Sequence, residues 1–128
     1  MCWKDCSSLH TVIKIQTVVL MEKLDILLQR IDQFNKERDW DQFHSPVNLS
    51  KSISIEAAEL LECFQWSNDE FILEDVKQEL ADVLNYCLQM CIVLKLDPIS
   101  IINEKISVNE EKYPIEKAKG IAVKYNKL

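Results

Sequence analysis

Residues 54–66 read SIEAAELLECFQW and residues 70–94 read EFILEDVKQELADVLNYCLQMCIVL, and the way these two stretches turn decides the fold. Both repeat apolar residues at intervals of three and four, the spacing of one helix face. With Glu56 as origin, Leu60, Ile53, Phe64 and Ala57 fall about 40° to 100° round a helix, so Glu56 borders an apolar stripe. Glu59 lies about 60° to the other side, and Glu62 about 120°, further toward water. With Glu79 as origin on the next helix, Tyr86, Ile72, Met90, Val83, Val76 and Leu94 fall between about −20° and 60°. Glu79 is therefore inside an apolar face, and Asp82 flanks it as Glu59 flanks Glu56. A short connection makes the two helices antiparallel neighbours, so four carboxylates converge.

Such a cluster is unfavourable without a counter-charge, because like charges repel and burial penalises each of them. A hard divalent cation resolves the conflict: Mg²⁺ prefers oxygen ligands, and helical bundles supply them from facing helices. The competing reading is a solvated acidic face with Glu–Lys pairing. Only Lys51 and Lys77 are near enough to serve, and Glu79 lies on the wrong face for solvent. Bundle di-iron sites need Glu-x-x-His, whereas the two histidines, His10 and His44, fall outside these segments. Cys2, Cys6 and His10 have a zinc-like spacing without a fourth ligand. Cys87 and Cys91, one turn apart on the apolar face, read as small core residues.

One Gly and three Pro in 128 residues leave little material for the tight turns of a sheet protein. Four helices are predicted. The first runs from residue 9 or 21 to residue 38, with Leu20, Leu24, Leu27 or Leu28, Ile31 and Phe34 at helical spacing. A polar and aromatic loop follows over residues 39–49. The second begins at Asn48 or Ser50 and continues to Trp66, and Ser67-Asn68-Asp69 caps a third over residues 70–95. Asp97-Pro98 starts a fourth, which Tyr113-Pro114 ends. The tail to Leu128 is basic, forming a short helix or staying loose.

A net charge of −6 speaks against a nucleic-acid polymer or an anionic membrane as partner. Residues 51–82 hold nine acids against two bases and so carry all the excess. The uncharged run over residues 83–94 is too short for the ~20 residues of a spanning helix. Being uncharged on every side, it is expected to be buried against another chain. Five cysteines, odd in number and irregular in spacing, suit reduced thiols and a cytoplasmic setting.

Four blocks in order, RDWDQFHSPVNL (38–49), SIEAAELLECFQW (54–66), ELADVLNY (79–86) and KISVNEEKYP (105–114), resemble the MazG-like nucleoside triphosphate pyrophosphohydrolases, most of all their dCTP pyrophosphatase branch. The resemblance spans residues 21–119. It implies an all-α four-helix bundle completed by oligomerisation to a dimer or tetramer. It also implies Mg²⁺-dependent cleavage of the α–β phosphoanhydride of a deoxynucleotide, giving monophosphate and pyrophosphate, as nucleotide-pool housekeeping. Residues 1–20 have no counterpart in the shorter relatives and are expected to be an N-terminal extension; residues 120–128 form a basic tail.

Carried over position by position, the resemblance makes Glu56, Glu59, Glu79 and Asp82 the Mg²⁺ ligands, in agreement with the helical-wheel geometry. Glu59 or Glu62 would accept the proton of the attacking water. Trp40, His44, Trp66 and Tyr86 match positions that enclose base and sugar, where stacking is worth ~1–3 kcal/mol per base. Lys105, Asn109, Lys112 and Tyr113 match a block near the triphosphate, with the first three at i, i+4 and i+7 on one helical face. The dCTP branch has a histidine where this chain has Ile31, which implies a relaxed preference with dATP also accepted. Other readings are a related enzyme acting on dUTP or phosphoribosyl-ATP, and a non-catalytic helical oligomer with a structural cation.

Overall fold

Ser45 and Pro46 start the helix that carries the first carboxylate pair. The Ser45 hydroxyl accepts from the Asn48 backbone N–H at 3.2 Å, and Pro46 stands in the first turn, where its missing N–H is no loss. The computed structural model describes residues 6–128, with side chains at Val19 and from Glu22 onward. Its helices are α1 (Cys6–Glu37), α2 (Pro46–Glu62), α3 (Leu73–Leu94), α4 (Pro98–Lys112) and α5 (Ile115–Ala118). Single 3₁₀ turns stand at Asp41–Phe43 and Tyr125–Lys127. No strand occurs among the described residues, so the protein is all-α as expected. The Cys2, Cys6 and His10 arrangement lies outside the described residues, as do the side chains of the expected extension except Val19. The α1 backbone is continuous from Cys6 past residue 20.

Both ends of α2 and the start of α3 differ from the sequence prediction, and α1 starts at Cys6 rather than at residue 9 or 21. α2 opens at Pro46 because the Ser45 cap precedes Asn48 and Ser50. It closes at Glu62 because Phe64 N–H turns back to Leu61 O at 3.0 Å and Gln65 N–H to Glu62 O at 3.1 Å, leaving Trp66 outside. The turn brings Phe64 against Phe71, with ring centroids 5.0 Å apart. Ser67 does form a cap-like bond, accepting from Glu70 N–H at 3.0 Å, but it closes a turn. α3 begins later, at Leu73.

The chain divides into two compact units, Met1–Val93 and Leu94–Leu128. In the first, α1 ends in a Schellman arrangement: Asp39 takes a left-handed φ of 55°, with Asp39 N–H on Lys36 O at 3.1 Å and Trp40 N–H on Asn35 O at 3.0 Å. That motif fixes where the loop bearing Trp40 begins. The same Asn35 is buried and donates its side-chain N–H to Gln89 Oε1 on α3 at 3.2 Å, a satisfied polar tie between helices. Leu49 is only 1% exposed and Cys91 is buried. In the second unit, Asp97 caps α4 by accepting from Ile99 and Ser100 N–H; the Ser100 hydroxyl first, and then these backbone bonds, hold its carboxyl below the usual range. Gly120, with a φ of 76°, turns the chain after α5. No single helix among the described residues is long and apolar enough to cross a membrane.

Candidate metal centre

Glu56 on α2 and Glu79 and Asp82 on α3 each offer a carboxylate oxygen, and these atoms lie within 4.8 Å of one another. Three of the four carboxylates expected to converge thus meet, while Glu59 is outside this group and acts on it through its charge. Glu56 and Glu79 are half-buried and Asp82 is exposed. Burial first, then the charges of Glu59, Asp82 and Glu79, pushes the Glu56 carboxyl above its ordinary range. Glu79 is pushed up by burial first, then by Glu59, Asp82 and Asp75. No lysine or arginine forms an ion pair with any of the four among the described residues; Lys77 is bound to Glu74 instead, at 3.0 Å. Among the described residues the cluster has no ion-paired counter-charge, and a hard dication fits the all-oxygen set.

A stability prediction arises here. Groups whose folded pKa is raised make the fold bind protons more tightly than the unfolded chain, so their contribution grows more favourable as pH falls through the folded values. Glu74 and Asp97 are shifted down, and their stabilisation is lost only at lower pH. In chelator, the melting temperature is expected to be higher at about pH 5.5 than at about pH 7.5. Glu56→Gln should flatten that difference. A calorimetric pH series showing the wild type more stable at the higher pH would contradict the like-charge reading.

The remaining predicted residues separate into groups. Trp40, 42% exposed, meets Phe34 edge-on at 5.7 Å and His44 at 6.4 Å, while Arg38 stacks 3.6 Å above the Phe34 ring. His44 has a buried Nδ1 without a hydrogen-bond partner. Tyr86 is half-buried on α3. Trp66 is 89% exposed, and no ring contact joins it to Trp40 among the described residues. Glu62 lines a separate hollow with Cys63, Phe71 and Asp75. Lys105, Asn109, Lys112 and Tyr113 belong to the second unit, on α4 and at its C-terminal cap.

Two features escaped the sequence reading. Leu27, Arg30, Ile31, Phe34, Asn85 and Gln89 line a cleft of about 210 Å³ between α1 and α3. Its signal was present: Asn85 and Gln89 are polar residues one turn apart inside an otherwise apolar run. Asp75, one turn before Glu79, adds charge to the cluster, and the same spacing would have found it.

With this geometry in view, the similarities are specific. The family model of the MazG-like family matches residues 51–128. dCTP pyrophosphatase 1 of Mus musculus is 33% identical over 105 residues, covering 75% of this chain and 62% of that protein. Its Homo sapiens counterpart is 33% identical over 106 residues, with the same coverage. The chain thus spans less than two thirds of the length of these relatives. The crystal structure of a pyrophosphatase from Archaeoglobus fulgidus is similar at a TM-score of 0.69 and 40% identity, covering 72% of this chain and 93% of that one. All-α architecture, facing acidic pairs and a family match over more than half the sequence lead to one conclusion: the chain belongs to the MazG-like family.

Proposed function

We propose that this protein is a Mg²⁺-dependent nucleoside triphosphate pyrophosphohydrolase, cleaving the α–β phosphoanhydride of a deoxynucleotide, with dCTP favoured, to the monophosphate and pyrophosphate. The observation that carries this reading is the convergence of Glu56, Glu79 and Asp82, in a cluster with no ion-paired cation among the described residues. The similarity to dCTP pyrophosphatase 1 and to the Archaeoglobus fulgidus pyrophosphatase supports the same chemistry.

Glu56, Glu59, Glu79 and Asp82 would hold the cation. When bound, it supplies charge neutralisation at the phosphate oxygens and a lowered pKa for water. Glu59, whose charge acts on both Glu56 and Glu79, is the better placed proton acceptor; Glu62 fronts another hollow. Trp40, His44, Trp66 and Tyr86 are proposed to enclose base and sugar. Lys105, Asn109, Lys112 and Tyr113 are the proposed triphosphate-binding residues. Ile31, lining the cleft of about 210 Å³, has no hydrogen-bonding group with which to read a base edge, so dATP should be accepted beside dCTP. We also propose a homo-oligomer, because Leu80, Leu84 and Leu94 are exposed on α3 of the single chain. Residues 21–119 form the proposed catalytic region, following an extension over residues 1–20.

The test is pyrophosphate release from the four dNTPs and CTP with Mg²⁺, comparing wild type with Trp40→Ala. The wild type should favour dCTP and accept dATP. Loss of a stacking face should raise the Michaelis constant roughly tenfold or more. Preference for CTP over dCTP, or an unchanged Michaelis constant in Trp40→Ala, would remove this loop from base recognition. No release from any nucleotide would overturn the enzymatic reading itself.

A further inference from the structure

Beyond α4 the chain returns on itself, and the residue that makes the return is Tyr125. After α5 and the Gly120 turn, Lys127 N–H bonds Lys124 O at 2.8 Å, closing the short turn that carries Tyr125. The Tyr125 ring meets Tyr113 edge-on, with centroids 6.1 Å apart and planes at 82°. Lys112 places Nζ 5.2 Å from the centre of the same ring. One tail residue therefore touches both final members of the proposed triphosphate block.

The chemistry of this contact is unusual for a lysine. An ion pair with a carboxylate would orient Lys112 at the cost of its charge and part of its hydrogen-bonding capacity, whereas a ring face attracts the ammonium through its quadrupole. All three N–H donors then stay available to phosphate oxygens. Among the described residues no carboxylate forms an ion pair with Lys112. The flexible four-carbon stem, which would otherwise sample many rotamers, is biased toward one direction before any ligand arrives.

We infer that Tyr125 is a positioning residue for a phosphate-binding pair, holding Lys112 by its ring face and Tyr113 by its edge. The inference rests on the reading of Lys112 and Tyr113 as triphosphate-binding residues, and the experiment separates the two. Steady-state kinetics on dCTP with Mg²⁺ would compare full-length wild type with Lys112→Ala, Tyr125→Phe, Tyr125→Leu and the Lys112→Ala/Tyr125→Leu double variant. Tyr125→Leu keeps apolar bulk and removes the ring face. It should raise the Michaelis constant roughly three- to tenfold while kcat stays within about twofold. Tyr125→Phe keeps the ring and should behave as wild type. The double variant should fall short of the product of the two single effects, since the Lys112–Tyr125 contact is lost in both singles and only the Tyr113 contact is lost in addition. A wild-type Michaelis constant in Tyr125→Leu beside an impaired Lys112→Ala would overturn the role of Tyr125 and leave the triphosphate reading standing. An unimpaired Lys112→Ala would overturn the triphosphate reading at Lys112 and the inference with it. Equal impairment in Phe and Leu would also overturn it, since the hydroxyl rather than the ring face would then be responsible.

Discussion

Glu79→Ala is expected to lower Mg²⁺-dependent pyrophosphate release at least roughly a thousandfold, the loss of about 4 kcal/mol of transition-state stabilisation. Glu79 is the residue to choose because it is the most committed member of the cluster. It lies on the apolar face of α3 and sits within reach of Glu56 and Asp82. Without a cation, burial first and then the charges of Glu59, Asp82 and Asp75 push its carboxyl above the ordinary range. Removing it should leave helical circular dichroism unchanged and the metal-free protein as stable as wild type or slightly more so. Glu74→Ala, at an exposed pair with Lys77, is the control, and its turnover should change little. Near-wild-type turnover in a folded Glu79→Ala preparation would remove the cluster from the catalytic mechanism.

Leu84→Asp is expected to take the assembly apart. Along α3, Leu80, Leu84, Cys87, Cys91 and Leu94 alternate at intervals of four and three, the repeat of a helix-pairing seam. In the single chain Leu84 is 55% exposed, and Leu80 and Leu94 are also uncovered. A carboxylate buried at the middle of such a seam, twice over in a symmetric pair, should weaken association by roughly a hundredfold or more. Light scattering at micromolar concentration should find the wild type at dimer mass or above and the variant shifted toward monomer. A monomeric wild type would contradict the proposed oligomer, and an unshifted variant would place the interface elsewhere.

Helix periodicity and cap chemistry were enough to give four long helices, the Asp97-Pro98 start, the Tyr113-Pro114 stop and the meeting of Glu56 with Glu79 and Asp82. These features follow from local geometry: a 100° turn per residue fixes which side chains share a face, whatever lies opposite. The early end of α2 comes with the turn bonds of Phe64 and Gln65, and the Phe64–Phe71 contact that follows lies between the helices and leaves no trace in the period of either. Trp40 was legible as an aromatic in a polar loop, but its direction is set by the Asp39 turn and the Asn35 carbonyl. The polar tie from Asn35 to Gln89, the cleft beside Ile31 and the approach of Tyr125 to Lys112 all join residues far apart in the chain. Sequence gives such residues their chemistry, but only tertiary packing brings them within reach, because a contact between distant segments depends on every turn between them.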